Sequence, residues 1–219
     1  MMKDIIIIGA GGTGREVAKV IDEINSFERT WNLLGFLDDD PKKHRQEYNG
    51  YPVLGPVSTA TNYGTCRFVL VLGNHRDLRL TKRVLDRLGL AGNRFATVTH
   101  PSVCMSRSTE LGPGTIVMQN CVIAPDTRIG SHVLVLPGAH IGHDCHIGDH
   151  VVIAPKAVLL GGVCIGEDCY VGANASVLQK IKVGPRSCVA MGAAVFSDVG
   201  SDMTVVGNPA RLLSHRVDP

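Results

Sequence analysis

The chain has 219 residues, a formal net charge of +2 at neutral pH and only 5% aromatic residues. It carries no basic cluster, which argues against nucleic acid as a partner, and no apolar run of membrane-spanning length, so membrane insertion is not expected. The seven cysteines are scattered without a CxxC pair. This favours free thiols in a reducing compartment, and we therefore expect a cytoplasmic protein without a metal site.

The first predicted unit is a strand, a glycine-rich turn and a helix. An apolar strand at residues 3–8 and a helix at residues 15–24 enclose the sequence G-A-G-G-T-G. The spacing G-x-G-x-x-G, directly after a strand and at the start of a helix, is typical of dinucleotide-type phosphate loops. The backbone N–H groups predicted to bind a pyrophosphate are those of Gly11, Gly12, Thr13 and Gly14. The alternative is a turn that only packs the helix on the strand.

A second predicted strand, residues 32–37, ends in acidic residues. Asp38 and Asp39 follow it directly. Beside a phosphate loop, acidic side chains at the carboxyl end of a strand usually meet the ribose or base of a nucleotide. We therefore expect Asp38 and Asp39 to bind this part of the ligand.

The remaining N-terminal residues complete a small α/β unit. A short hairpin or edge, a buried strand and a helix are predicted at residues 50–55, 67–72 and 76–88. Gly73 and Asn74 are expected to form the lip of the nucleotide pocket. With only three or four strands, residues 1–98 are predicted to be a Rossmann-like half domain rather than a complete dinucleotide-binding domain.

From residue 111 onward an aliphatic residue occupies every sixth position. These residues are Leu111, Val117, Ile123, Ile129, Val135, Ile141, Ile147, Ile153, Leu159, Ile165, Val171, Val177, Val183, Val189 and Val195. The period is typical of parallel β-helices, in which three six-residue sides form a coil whose strands pair with the next coil at about 4.8 Å. The third and fourth residues of each repeat should point outward, and we expect the chemistry there.

A cluster of histidines lies at residues 139–150, and the position of each one in the repeat predicts where its side chain points. His143 and Asp144 fill the outward third and fourth positions, whereas His132 and His150 are eighteen residues apart and should stack in one column. Histidine is the natural general base near neutral pH, and a carboxylate partner fixes its tautomer. This favours His143 and Asp144 as a catalytic pair.

The repeats end near Val199, and the sequence V-V-G-N-P-A-R follows them at residues 205–211. Together with the glycine loop, the His-Pro-Ser junction at residues 100–102 and the repeats, this ending resembles the hexapeptide-repeat acyltransferases. Within them it is similar to the bacterial nucleotide-sugar acetyltransferases of the sialic-acid O-acetyltransferase and bacillosamine or perosamine N-acetyltransferase group. The resemblance implies that residues 99–219 form an all-β left-handed parallel β-helix with a C-terminal cap.

The resemblance also implies a homotrimer, acetyl-CoA bound between adjacent β-helices and a nucleotide-diphospho-sugar held by the N-terminal domain. By the same resemblance His143 is the general base and Asp144 its partner, with Asp126 as an alternative partner. The acetyl-CoA site implied by the group consists of His150, Gly161, Gly162, Ala173, Met191, Gly192, Asn208 and Pro209. In that site Gly161 and Gly162 form a glycine corner whose N–H groups suit an oxyanion.

Four functions fit these features to different degrees. The leading interpretation is an acetyl-CoA-dependent N-acetyltransferase acting on a nucleotide-linked amino sugar in bacterial glycan synthesis. An O-acetyltransferase for sialic-acid-like sugars would use the same machinery on a hydroxyl. A β-helix carbonic anhydrase would need three histidines converging on zinc between subunits. A non-catalytic nucleotide-sugar-binding or scaffold protein would need no His143–Asp144 pair.

Overall fold

The computed structural model describes residues 2–72 and 76–213. The N-terminal part contains β1 (Lys3–Ile8), α1 (Gly12–Phe27), β2 (Trp31–Leu37), β3 (Glu47–Tyr48), β4 (Tyr51–Gly55), a 3₁₀ helix (Val57–Asn62), β5 (Arg67–Leu70), α2 (Leu80–Leu88) and a second 3₁₀ helix (Gly92–Arg94). The five-stranded sheet has the order β3-β4-β2-β1-β5. Only the two-residue β3 runs antiparallel, as one arm of the predicted hairpin.

The structure differs from the prediction in the number of strands and in several element boundaries. The sheet has five strands because β3 adds a short edge that composition alone does not reveal. Helix α1 begins at Gly12, since glycines are tolerated in a first turn whose N–H groups have no intrahelical acceptor. Helix α2 begins at Leu80 rather than at residue 76, because a turn closed by the N–H of Leu80 on the carbonyl of Asp77 precedes it.

The C-terminal part is a parallel β-helix of short strands. They are β6 (Val98–Thr99), β7 (Cys104–Met105), β8 (Glu110–Leu111), β9 (Ile116–Val117), β10 (Val122–Ile123), β11 (Arg128–Ile129), β12 (Leu134–Val135), β13 (His140–Ile141), β14 (His146–Ile147), β15 (Val152–Ile153), β16 (Val158–Leu159), β17 (Cys164–Ile165), β18 (Tyr170–Val171), β19 (Ser176–Val177), β20 (Lys182–Val183), β21 (Cys188–Val189), β22 (Ala194–Val195), β23 (Thr204–Val206) and β24 (Arg211–Leu212). Equivalent strands pair one coil apart, as Val122 does with His140, which confirms the predicted eighteen-residue coil.

The strands form three faces. Face 1 contains β6, β9, β12, β15, β18, β21, β23 and β24; face 2 contains β7, β10, β13, β16, β19 and β22; and face 3 contains β8, β11, β14, β17 and β20. The chain turns between them at corner 1–2 (residues 119–120 and their equivalents in later coils), corner 2–3 (125–126 and equivalents) and corner 3–1 (131–132 and equivalents). Corner 2–3 therefore lies opposite face 1.

The β-helix is held together by a narrow apolar core. The aliphatic first positions and the small fifth positions are buried, as at Ile141 and Cys145. Glycine follows the aliphatic residue where coils come closest: a Cβ on Gly112 would lie 2.5 Å from the carbonyl carbon of Gly130. The left-handed backbone conformation occurs instead at the fourth position, as in Asp144 with φ 57°, so the glycines of the second position serve packing and not positive φ.

The N-terminal domain packs on face 1. One apolar cluster joins Val17 and Val20 of α1 to Ile116, Leu134 and Val152 of face 1. The sixth repeat positions of this face are therefore buried, although such positions point outward. On the described residues, no helix is long and apolar enough to cross a membrane.

Candidate active site

The His143–Asp144 pair lies at corner 2–3, as the register predicts. Nδ1 of His143 is 2.7 Å from Oδ2 of Asp144, and both side chains are about two thirds exposed, at 67% and 66%. The left-handed conformation of Asp144 turns its carboxylate back onto the preceding imidazole. Nδ1 is thereby assigned as the N–H donor, which leaves Nε2 as the free basic nitrogen.

Gly161 leaves a notch beside the imidazole of His143. It is the residue one coil further along in the same column, and a Cβ at this position would lie 2.5 Å from Nε2 of His143. The neighbouring Gly162 fixes the two coils to each other, since its N–H donates to the carbonyl of His143 at 2.8 Å. A side chain at position 161 would therefore occupy the space into which Nε2 faces.

Two backbone donors at corner 2–3 are unused within the described residues. At corner 3–1 the N–H of Ser131 donates to Oδ1 of Asp149, one coil away, at 2.7 Å. His143 and Gly161 are the equivalent pair at corner 2–3. Gly161 has no side chain and therefore offers no such acceptor to the N–H of His143. Within residues 2–72 and 76–213, no hydrogen bond engages the N–H of His143 or that of Gly161. Corner 2–3 thus combines a basic nitrogen with N–H groups suited to an oxyanion.

His150 lies at corner 3–1, away from this notch. Its Nδ1 is 3.0 Å from Oδ1 of Asp168, and its side chain is 15% exposed. As predicted, it stacks on His132, with ring centroids 6.1 Å apart, and Phe95 of the N-terminal part contacts the other side of His132. The structure therefore does not bring His150 together with Gly161 in one chain, because their positions in the repeat place them at different corners of the β-helix.

Burial makes His132 an apolar partner in this stack. Desolvation first, and the neighbouring His150 second, lower the pKa of His132 to about 4. Its Nδ1 is buried without a hydrogen-bond partner among the described residues. His132 is therefore uncharged at neutral pH and packs as a ring.

The other residues of the predicted acetyl-CoA site flank face 2. Ala173, Met191 and Gly192 lie at corner 1–2, where Met191 is 76% exposed and Gly192 donates its N–H to the carbonyl of Ala173. Asn208 and Pro209 belong to the exposed segment after β23. That segment meets the end of face 2 through backbone hydrogen bonds on both sides of Ala194.

The glycine loop has an open side and a packed side. Gly11 and Gly12 are exposed, and a Cβ on either would meet no atom within 4 Å. Gly14 is buried, and a Cβ there would lie 1.9 Å from the carbonyl oxygen of Gly9. Helix packing alone thus requires glycine at position 14. The first-turn N–H groups, including that of half-buried Thr13, have no intrahelical acceptor.

The two predicted ribose ligands are already engaged within the chain. Oδ2 of Asp38 accepts from the N–H of Ala10 at 2.8 Å and from Nζ of Lys43 at 2.9 Å. Asp39 accepts from the N–H of Val57 and from Arg87. Asp38 therefore anchors the start of the glycine loop to the end of β2. Its position directly after a strand in the sequence does not reveal this structural role. Gly73 and Asn74 lie outside the described residues.

Replacing Asp38 with asparagine should destabilise the protein at neutral pH. Burial raises the pKa of Asp38, but hydrogen bonds from Lys43, Asp40 and Ala10 outweigh it and hold the pKa below 3.8. The charged carboxylate is thus favoured in the folded state. Its contribution to stability is complete above pH 3.8 and is lost as the pH falls through the folded-state pKa. We expect Asp38→Asn to lower the free energy of unfolding by about 1–3 kcal/mol at pH 7.

Urea unfolding at several pH values tests this expectation. The difference between wild type and Asp38→Asn should shrink below pH 3.8, the ordinary value for this carboxyl. Asp86→Asn is the matched control, because Asp86 is 64% exposed on α2 and its loss should change stability little. A destabilisation of Asp38→Asn that stays constant into acid would contradict the proposed role of the charge.

A polar cluster between the two domains, with only its histidine buried, was not predicted from the sequence. Nε2 of His100 is 2.9 Å from Oε2 of Glu23 on α1, and Nδ1 accepts from the backbone N–H of Ser102 at 3.0 Å. Gln119 of corner 1–2 donates to the same carboxylate. The His-Pro-Ser sequence indicates a junction, but not that its histidine contacts a helix 77 residues earlier.

No metal site accompanies these groups in the described part of the chain. There, no three His, Cys, Asp or Glu side chains are grouped as metal ligands would be.

Known protein families match both the N-terminal part and the repeats. Residues 4–80 match the PglD N-terminal domain. Residues 126–161 match the bacterial transferase hexapeptide (six repeats), and residues 162–197 match the hexapeptide repeat of succinyl-transferase.

Individual relatives cover different shares of the chain. The UDP-N-acetylbacillosamine N-acetyltransferase of Bacillus subtilis (strain 168) is 35% identical over 121 residues, a match that spans 53% of this chain and 52% of that protein. The acetyltransferase domain of PglB from Neisseria gonorrhoeae FA1090 is 30% identical, with a TM-score of 0.82 over 96% of this chain and 100% of the domain. PerB from Caulobacter crescentus, solved with CoA and GDP-perosamine, is 27% identical with a TM-score of 0.82 over 98% and 99% of the two chains.

These similarities confirm the predicted fold class, a Rossmann-like half domain followed by a left-handed parallel β-helix. They extend over both parts of the chain, and at 30% identity the PglB domain is covered completely. The chain therefore belongs to the hexapeptide-repeat nucleotide-sugar acetyltransferases of the bacillosamine and perosamine N-acetyltransferase group.

Proposed function

We propose that this protein transfers the acetyl group of acetyl-CoA to the amino group of a nucleotide-linked amino sugar. The observation that carries the proposal is the notch at corner 2–3, where Nε2 of His143 faces the space left by Gly161. Relatives that act on UDP-N-acetylbacillosamine and bind GDP-perosamine support an amino sugar on a nucleoside diphosphate. UDP and GDP are both represented among them, so the nucleotide is a matter for experiment.

The geometry suggests a direct transfer. A sugar ammonium is unreactive, so the acceptor binds as the amine, and Nε2 of His143 removes a proton as the nitrogen attacks the thioester carbonyl. Asp144 holds Nδ1–H and stabilises the imidazolium that forms. The N–H of Gly161 donates to the oxyanion of the tetrahedral intermediate. The C–S bond then breaks, and the coenzyme A thiolate takes the proton from His143.

The two substrates are assigned to different surfaces. Acetyl-CoA would run along face 2, from Asn208 and Pro209 past corner 1–2 to the notch. The diphosphate of the sugar nucleotide would bind the exposed N–H groups of Gly11, Gly12 and Thr13, with Gly14 holding the helix against Gly9. Asp38 and Asp39 would shape that pocket. This division of labour corresponds to domains at residues 1–98 and 99–219.

One chain cannot bring these surfaces together, and we propose a homotrimer that does. The N-terminal domain packs on face 1, whereas His143 lies at the opposite corner, so the sugar nucleotide must come from a neighbouring copy. Face 2 carries exposed apolar side chains suited to such contact, since Val122, Leu160 and Phe196 are 38%, 38% and 58% exposed. A closed cyclic assembly satisfies both needs. The cytoplasm, where nucleotide sugars and acetyl-CoA are present, is the proposed location.

Negative charges introduced on face 2 should therefore dissociate the proposed homotrimer and, for the same reason, reduce its activity. Val122→Glu combined with Phe196→Glu places carboxylates in an apolar contact, where an unpaired charge is costly. We expect a folded monomer by light scattering and circular dichroism, with turnover reduced by about a hundredfold because the site is incomplete. Phe27→Glu is the matched control, since Phe27 is 78% exposed at the end of α1. If the double variant is monomeric but fully active, the proposal that two copies share the site is wrong.

Release of free coenzyme A tests the reaction itself. Acetyl-CoA is incubated with the protein and with UDP- and GDP-linked 4-amino sugars, beside free sialic acid, and the thiol is followed with a chromogenic reagent. Turnover with one amino sugar is the expected result and identifies the nucleotide. Turnover with sialic acid alone would favour the O-acetyltransferase alternative, and silence with every acceptor would favour a binding protein.

A further inference from the structure

A separate cavity of about 650 Å³ lies between α2 and the C-terminal end of the β-helix. Its walls come from both domains: Arg76, Arg79 and Arg83 lie on one side, and Arg186, Met203 and Leu212 on the other. Arg186 belongs to corner 3–1, so the cavity is at a different corner from His143. Its volume falls within the usual range for small-molecule sites.

The cavity is lined by four arginines against two aspartates. Arg186 is held by a bidentate contact with Asp202, with both N–O distances at 2.7 Å, and Arg83 is held in the same way by Asp77. Both guanidinium groups are therefore oriented in advance, and neither carboxylate neutralises Arg79, which is exposed at the start of α2. Four guanidinium groups beside two carboxylates in a concave site favour a multivalent anion.

The other lining residues restrict the kind of anion. Met203, Leu212 and Leu213 give the cavity an apolar wall beside the arginines. Such a combination suits a ligand with a diphosphate at one end and a flat, weakly polar group at the other. Simple inorganic anions would use only the arginine side.

We propose that this cavity is a second ligand site, for a nucleoside diphosphate or a related diphosphate-bearing nucleotide. It is distinct from the glycine loop and from the notch at His143, and it does not depend on the reaction proposed above. Because residues of both domains line it, a bound nucleotide would tie α2 to the end of the β-helix. Coenzyme A carries a phosphorylated adenosine of the same chemistry, and the experiment separates these two sources.

Isothermal titration with pyrophosphate, on the full chain, tests the proposal. The glycine loop is first disabled by Gly12→Asp, which adds a repelling carboxylate where a side chain meets no atom within 4 Å. Saturable binding of one pyrophosphate per chain should persist in Gly12→Asp. It should weaken roughly tenfold or more when Arg79→Ala or Arg186→Asn is added, as for the loss of a charged hydrogen bond. Asparagine is chosen at position 186 because φ there is 58°, a conformation that asparagine tolerates.

Competition experiments then identify the nucleotide. Displacement of pyrophosphate by UDP indicates a nucleoside diphosphate, and displacement by adenosine 3′,5′-bisphosphate indicates the coenzyme A moiety. Arg29→Ala, which removes an exposed arginine beyond α1, should leave the affinity unchanged. The proposal is overturned if Gly12→Asp alone abolishes binding, if neither cavity variant weakens it, or if neither nucleotide competes. His143→Ala should bind pyrophosphate normally, so a failed acetyltransferase assay leaves this test intact.

Discussion

Replacing His143 with alanine should lower turnover by about a hundredfold or more, the usual contribution of a general base. Nε2 is the only ring nitrogen of His143 free to accept a proton, since Nδ1 is held by Asp144 at 2.7 Å. Its loss removes the acceptor for the amine proton but no residue of the core, because the side chain is 67% exposed. We therefore expect kcat to fall while the KM for acetyl-CoA and the melting temperature change little.

A neighbouring histidine provides a matched control. His146 is an exposed sixth-position residue on face 3, and its replacement by alanine should leave turnover within a few-fold of wild type. Asp144→Asn should fall between His146→Ala and His143→Ala, because asparagine can still accept from Nδ1 but no longer stabilises the imidazolium. Coenzyme A release measured across pH checks the series. Full activity of His143→Ala would exclude it as the base.

Gly161→Ala should also impair catalysis, although it adds only a methyl group. The new Cβ would lie 2.5 Å from Nε2 of His143, so the imidazole must swing away from the notch. Because that ring is exposed and can rotate, the fold should tolerate the change. A displacement of about 1 Å at a reacting group can cost roughly a hundredfold in rate. We expect kcat to fall by about tenfold to a hundredfold.

Two measurements distinguish displacement of the base from general damage. Gly64→Ala is the matched control, since a Cβ there would meet no atom within 4 Å, and it should be fully active. Thermal unfolding of Gly161→Ala should stay within a few degrees of wild type. A crystal structure of the variant should show the imidazole rotated off the corner. An active variant with an unmoved ring would contradict the notch as the place where Nε2 of His143 acts.

Several features of this protein are determined by its sequence alone. The six-residue period defines the β-helix because each step of the repeat is one side, and adjacent sides are joined by local turns. The same register assigns Ile141 to the core and His143 and Asp144 to an outward corner, without knowledge of the rest of the chain. The strand, glycine turn and helix at the N-terminus are equally local.

The tertiary structure decides what depends on contacts between distant residues. Asp38 meets Ala10 across 28 residues, and this contact makes it an anchor of the glycine loop. Docking of the N-terminal domain on face 1 places Phe95 on His132, which in turn stacks on His150, so that corner 3–1 is covered. Strand and helix boundaries shift for a similar reason, since pairing and capping partners decide them. A periodic sequence specifies the surface of the β-helix, but only the packing of a second domain determines which corners stay open to substrate.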